Sequence, residues 1–169
     1  EPAGRNRVIR RAQGRDAAPL AALLRALNTE PGLHPERITA QAVARDLIAD
    51  ARIVLLVTEE AGLLEGFVSG HPFYDSGASR WGYIMNDLYV TPEARRRGLG
   101  RALVGALAQA AVEDGGEFLE HLHDGVQCAD RLVARRQGQV FAFGFESLVE
   151  GGEFEVSLAG VHSDNKGGF

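Results

Sequence analysis

The sequence predicts an α/β (α+β) fold: a single mixed, mostly antiparallel central sheet of about six to seven strands flanked by about four helices. Three observations carry this. A strand-to-helix unit at 81–116 has hairpin-like strands before it and short strands after it. Apolar residues recur at helical spacing in separate stretches. The 169 residues are enough for one sizeable core but few for two. One domain is expected over 1–159, with "GVHSDNKGGF" (160–169) as a flexible tail.

The first strand is "RVIRRA" (7–12). Gly14 breaks it, and Asp16 is placed to cap a helix. Leu20, Leu23, Leu24 and Leu27 then share one helical face, the core face, and "TEPG" ends the helix. Thr39 caps a second helix carrying Val43, Leu47 and Ile48, which stops near Asp50. "RIVLLVT" (52–58) is a strand buried on both faces; "EEAG" turns the chain into its hairpin partner, "LLEGFVSGHPF". "SGAS" interrupts, and "WGYIMNDLYV" (81–90) is the next strand, ended by Thr91 and Pro92. Trp81, Tyr83 and Met85 alternate along it and are expected in the core. From Gly98 a helix follows that is apolar nearly all round; Arg101, Gly105, Gln109 and Glu113, four apart, form its one stripe for water. "EFLEHLHD" (117–124) is a strand, "QCADRLVARRQ" (127–137) a helix, and "FAFGFESL" and "FEVSLA" are two closing strands.

Composition narrows the function classes. Hydrophobic content of 45% and charged content of 24% suit a folded soluble chain. A net charge of -5 argues against nucleic acid as a partner, because phosphate backbones demand net positive surface, although a local basic cluster can still hold a small anion. One cysteine, Cys128, excludes an internal disulfide and a thiolate zinc site, so no metal is expected and a reducing cytoplasm is the simplest home. No stretch reaches the roughly 18 apolar residues of a spanning helix, so neither membrane insertion nor an export signal is expected.

The chemistry concentrates in "NDLYVTPEARRRGLGRAL" (86–103). Gly98 and Gly100 bare the backbone where a loop becomes a helix. The first N–H groups of a helix lack internal partners, and the dipole adds partial positive charge. With Arg95, Arg96 and Arg97 beside them, these groups form a cradle for phosphate. A dinucleotide GxGxxG would need glycine where Leu103 stands, and a P-loop lysine is absent. The plain alternative is a solvated basic turn.

What remains is Arg95-x-x-Gly98-x-Gly100 after "DLYVTPE", and here the chain resembles the GNAT superfamily of acyl-CoA-dependent N-acyltransferases, in element order from about residue 7 to 159. Within it, "FYDSGASRWGYIMNDLYVTPEARRRGLGRAL" is similar to the polyamine and thialysine acetyltransferase group. The resemblance implies acetyl-CoA as co-substrate, with the backbone of Leu88, Tyr89 and Val90 on the pantetheine arm. It places the pyrophosphate on Arg95, Arg96, Arg97, Gly98, Leu99, Gly100 and Arg101. It also implies a small-molecule amine as acceptor and pairing into a homodimer, with "FEVSLA" as a candidate interface strand.

Transfer to an amine needs a base, and Asp87 at the strand end is the candidate. A strand-end cap or an arginine partner is its structural alternative. Asn86 stands where the resembling group has glutamate, and Asn86 and Glu30 are the candidate substrate contacts. The tyrosine that many members use to protonate the departing thiolate has no counterpart in 125–145. Water, Tyr89, Cys128 or a histidine are the substitutes on offer, beside unaided departure of a thiolate of pKa near about 8.5. His121 and His123 alternate on one strand without a third metal ligand, and Cys128 reads as a small apolar residue. The reading is an N-acetyltransferase acting through a ternary complex; the alternative is a non-catalytic acyl-CoA-binding sensor on the same fold.

Overall fold

The computed structural model describes residues 7–123, 126–127 and 132–133. It has the predicted α+β architecture, with strands β1 (Arg7–Arg11), β2 (Val54–Glu60), β3 (Leu63–Asp75), β4 (Arg80–Val90), β5 (Phe118–His123), β6 (Val126–Gln127) and β7 (Leu132–Val133). The long helices are α1 (Ala17–Leu27) and α3 (Leu99–Glu113); α2 (Ala40–Ala42) runs on into a π-helical stretch, Val43–Ile48. The chain divides into two units: Glu1–His71 with Met85–Leu107, and Pro72–Ile84 with Ala108–Phe169.

In the first unit β1 is the edge and pairs antiparallel with β2, which pairs antiparallel with β3. Val54 to Thr58 are all buried, as the uninterrupted apolar run predicts. Leu55, Val57 and Phe67 point to one face, where Leu20, Ala21 and Leu24 of α1 and Val43 meet them in the core. Full burial of each large side chain contributes about 2 kcal/mol. Thr39 caps α2 as expected, its hydroxyl accepting from the Ala42 N–H at 3.1 Å. Ala61 and Gly62, with φ of 51° and 82°, make the tight β2–β3 turn that "EEAG" announced.

Asp16 does not cap α1. Its carboxylate reaches back to the Gln13 N–H (2.7 Å) and is held by both terminal nitrogens of Arg10, at 2.7 and 2.9 Å. Arg10 also binds Glu59 on β2, so one buried carboxylate ties β1, β2 and the start of α1 together. The bond from Arg10 outweighs burial and holds the Asp16 carboxyl below its ordinary range. A depressed folded-state pKa contributes stability that is present above the unfolded value and lost as pH falls below about 4. Asp16→Asn should therefore cost roughly 2–3 kcal/mol at neutral pH, leaving Arg10 short of a partner, and should flatten the stability profile below about pH 4. Denaturant melts from pH 3 to 7 check this; a parallel offset at all pH values would contradict it.

In the second unit the first half of β4 stands beside β5, with the Glu117 N–H donating to the Trp81 carbonyl at 2.9 Å. Tyr83 is buried as expected, and its hydroxyl bonds Asp114 at the end of α3. Trp81 is a correction: it is 57% exposed, its ring 5.2 Å from that of Tyr74, which is exposed as well. Alternation placed it on the right strand, but among the described residues no layer covers it near the hairpin end. The helix expected at 127–137 is corrected where residues are described: Gln127, Leu132 and Val133 lie in strands that pair antiparallel with β5. The strands expected at 141–148 and 154–159 lie outside the described residues.

Candidate active site

The site is built at the end of β4 and the start of α3, all within the first unit. The chain leaves β4 at Val90, makes a 3₁₀ turn over Pro92–Ala94, and enters α3 at Leu99. The first intrahelical bond runs from the Ala102 N–H to the Gly98 carbonyl (3.0 Å), which leaves the N–H groups of Leu99, Gly100 and Arg101 without helical acceptors. Gly98 has φ of 76°, and a Cβ there would meet nothing within 4 Å, so conformation and not space demands glycine. Arg96 also takes a left-handed φ, 60°, and is exposed.

The four arginines of the loop divide into two kinds. Arg95 folds back, its Nε donating to the Val90 carbonyl at 3.0 Å while the guanidinium lies 5.9 Å from the centre of the Tyr89 ring. Arg97 binds Glu65 at 3.0 Å and Glu60 at 3.1 Å. Arg96 and Arg101 make no side-chain hydrogen bond or ion pair among the described residues. Two cations and a helix start thus remain for an anion, and the donor set fits a pyrophosphate. Of the strand residues assigned to a pantetheine arm, Val90 has its carbonyl occupied by Arg95. Leu88 and Tyr89 are partly buried, with the Tyr89 ring 6.4 Å from Phe67.

Asp87 is half-buried on β4 and accepts a hydrogen bond at Oδ2 from the Ser69 hydroxyl, 2.9 Å away. Ser69 is buried on β3 opposite Leu55. Among the described residues no hydrogen bond reaches Asp87 Oδ1, so one carboxylate oxygen is oriented and the other is available to a proton. Ser69 is the residue that sequence reasoning missed; its one signal was a lone hydroxyl inside the apolar "GFVSG" run, where a buried polar group must find a partner.

Asn86 is exposed. Glu30 is exposed in the loop after α1, where its carbonyl accepts from Leu33; its carboxylate has no partner among the described residues, and no contact brings it to Asp87. Concavities of about 690 and 230 Å³ in this unit have Leu23, Leu64 and Arg97, and Leu24, Ile38 and Val43, among their walls; neither is lined by Asp87. Among the described residues no group of three or more carboxylates, histidines or cysteines could hold a metal, and no helix is long and apolar enough to cross a membrane. The side chains of His121, His123 and Cys128 lie outside the described residues.

Comparison with known proteins bears on this geometry. The model of the acetyltransferase (GNAT) family matches residues 20–138. An uncharacterized N-acetyltransferase of Bacillus subtilis (strain 168), YhfO, is 32% identical over 111 residues, 66% of this chain and 74% of that protein. Two solved structures share the fold. The aminoglycoside N-acetyltransferase AAC(6')-Iy in complex with CoA has a TM-score of 0.62 at 18% identity, over 73% of this chain and 81% of that one. The ribosomal-protein-alanine N-acetyltransferase of Brucella melitensis biovar Abortus 2308 has a TM-score of 0.55 at 24% identity, over 69% and 79%.

Proposed function

Since the chain belongs to the acetyltransferase (GNAT) family and is an acetyl-CoA-dependent N-acetyltransferase, we propose that it transfers acetyl to the primary amine of a small molecule by direct attack in a ternary complex. The observation that carries the reading is the α3 start: three unpartnered N–H groups beside Arg96 and Arg101, the only two arginines of the loop without protein partners among the described residues. Acetyl-CoA supplies a thioester whose acyl carbon accepts the amine. Arg96, Gly98, Leu99, Gly100 and Arg101 hold its pyrophosphate, and the backbone of Leu88 and Tyr89 orients its arm. Asp87, steered by Ser69, takes a proton from the ammonium at Oδ1; the freed amine attacks the acyl carbon, and as the N–C bond forms and the C–S bond breaks, CoA leaves as the thiolate and takes up the proton the nitrogen then sheds.

For the acceptor, a polyamine or a lysine-like amino acid is favoured by the similarity of 73–103 to the polyamine and thialysine group, with Asn86 and Glu30 as its contacts. Aminoglycosides and a ribosomal-protein alanine, named in the structural relatives, are the competitors. A cytoplasmic homodimer with one catalytic domain over 1–159 completes the reading.

Calorimetric titration with acetyl-CoA tests it. The wild type should bind, and Gly98→Val, which forces a β-branched residue into a left-handed backbone, should bind at least about 10-fold more weakly. Thiol release with spermidine, thialysine, an aminoglycoside and an alanine-led peptide then ranks the acceptors. Binding without release from any amine would favour a sensor, and no binding would end the acyl-CoA assignment.

A further inference from the structure

The β2–β3 pairing slips by one residue: Thr58 opposes Gly66, but Glu59 opposes Leu64. Glu65 is therefore the extra residue of a β-bulge, and a bulge re-aims the side chain it carries. Its carbonyl accepts from the Thr91 N–H at 2.8 Å, just beyond β4. Its carboxylate meets Arg7 at 2.9 Å and Arg97 at 3.0 Å. Glu60 takes the same two arginines, at 3.2 and 3.1 Å. Arg7, Glu65, Arg97 and Glu60 thus close a ring of alternating charge across β1, the β2–β3 turn and the arginine loop.

The ring is balanced, and its carboxylate side chains are only 10% and 15% exposed for Glu60 and Glu65. Burial would raise the Glu60 carboxyl, but the bond from Arg97 and the charge of Arg7 outweigh it and hold it below the ordinary range. Drawing Arg97 away toward a phosphate would leave two largely desolvated carboxylates sharing one arginine, a costly state. Arg97 adjoins Gly98, so wherever the ring fixes Arg97 it also fixes the turn into α3.

We propose that Arg97, Glu60 and Glu65 are positioning residues that clamp the 95–101 loop in its binding shape, and that Arg97 is not itself a phosphate ligand. The proposal rests on the acyl-CoA reading of that loop and is an alternative to Arg97 as a pyrophosphate ligand, the role the family resemblance implies. It makes a prediction opposite in sign to direct contact. If Arg97 touched phosphate, Glu65→Gln would free a cation and tighten binding. If the ring is a clamp, Glu65→Gln loosens the loop and weakens it.

Acetyl-CoA is titrated into the wild type, Glu65→Gln, Arg97→Gln and the double variant. Each single change should weaken binding about 10-fold, and the double should be no weaker than either, as for residues acting as one unit. In turnover the loss should appear in KM for acetyl-CoA and not in kcat, whereas a general loss of folded protein would lower kcat alone. Tighter binding by Glu65→Gln, or additive losses, would overturn the clamp. A ligand-free measurement judges it separately from the acyl-CoA reading. Trypsin should cut after Arg95, Arg96 or Arg97 about 10-fold faster in Glu65→Gln when both proteins are assayed well below their melting temperatures, as expected of a loosened local segment. Equal cleavage would overturn the clamp even if no acetyl-CoA bound, and failure of wild-type binding alone would overturn only the acyl-CoA reading.

Discussion

Asp87→Asn should lower kcat by about 10²–10⁴-fold while acetyl-CoA affinity stays within about twofold, the size of effect general-base catalysis supplies. The substitution keeps the shape of the side chain, and its amide oxygen can still accept the Ser69 hydroxyl bond that holds Asp87 in place. What it loses is the oxygen that takes the proton. A free amine needs no base to become nucleophilic, so the deficit should shrink as pH approaches the amine's own value near about 10.4. Rates from pH 7 to 10 on the best amine decide the matter. A loss under about threefold at pH 7 would remove Asp87 as the base; a loss confined to the amine KM would make it a binding group.

Gly66→Ala should be among the most destabilising single changes in the first unit, about 3 kcal/mol, the upper end of what overpacking costs. A Cβ at this position would stand 2.5 Å from the Tyr89 carbonyl oxygen and 3.3 Å from the Val90 Cα. Both are backbone atoms, so no rotamer can relieve the contact, and β3 and β4 would have to part. They would part next to the Glu65–Thr91 bond, at the strand end proposed to orient the thioester. For a chain of this size a melting temperature roughly 6–12 °C lower is expected. Acetyl-CoA affinity should fall with it, measured well below the transition. A shift under about 2 °C would mean that the strands have room the geometry does not give them.

Much of the fold was legible because it rests on composition and period. The apolar run at 54–58, the leucine face of α1, the Thr39 cap and the Ala61–Gly62 turn each express a local rule, and each is in place. The loop-to-helix junction was legible for the same reason: Gly98 takes its left-handed φ and α3 starts directly after it, as local backbone geometry requires. What escaped depends on partners distant in sequence. Ser69 and Asp87 are 18 residues apart and meet only through strand register. Three arginines in a row are indistinguishable by charge; a bulge on another strand decides that Arg97 is occupied and Arg96 is not. Asp16 stood before a helix, but Arg10 and the Gln13 N–H took its carboxylate. Trp81 followed the period of its strand into a position that no layer covers among the described residues.

The π-helical stretch after α2 was equally hidden, because Val43, Leu47 and Ile48 suit either winding. Its i→i+5 bonding, such as the Ala49 N–H to the Ala44 carbonyl at 3.0 Å, fits one more residue into a turn than an α-helix does. The second helix thus stores a surplus residue between two fixed points, the Thr39 cap and the start of β2. A one-residue deletion within 43–48 can be absorbed by rewinding to α pitch, with both anchors left where they are. Chain length is therefore negotiable here, close in sequence to the 28–38 loop that carries the exposed Glu30, while the arginine loop, held at Val90, Glu60 and Glu65, has no such slack.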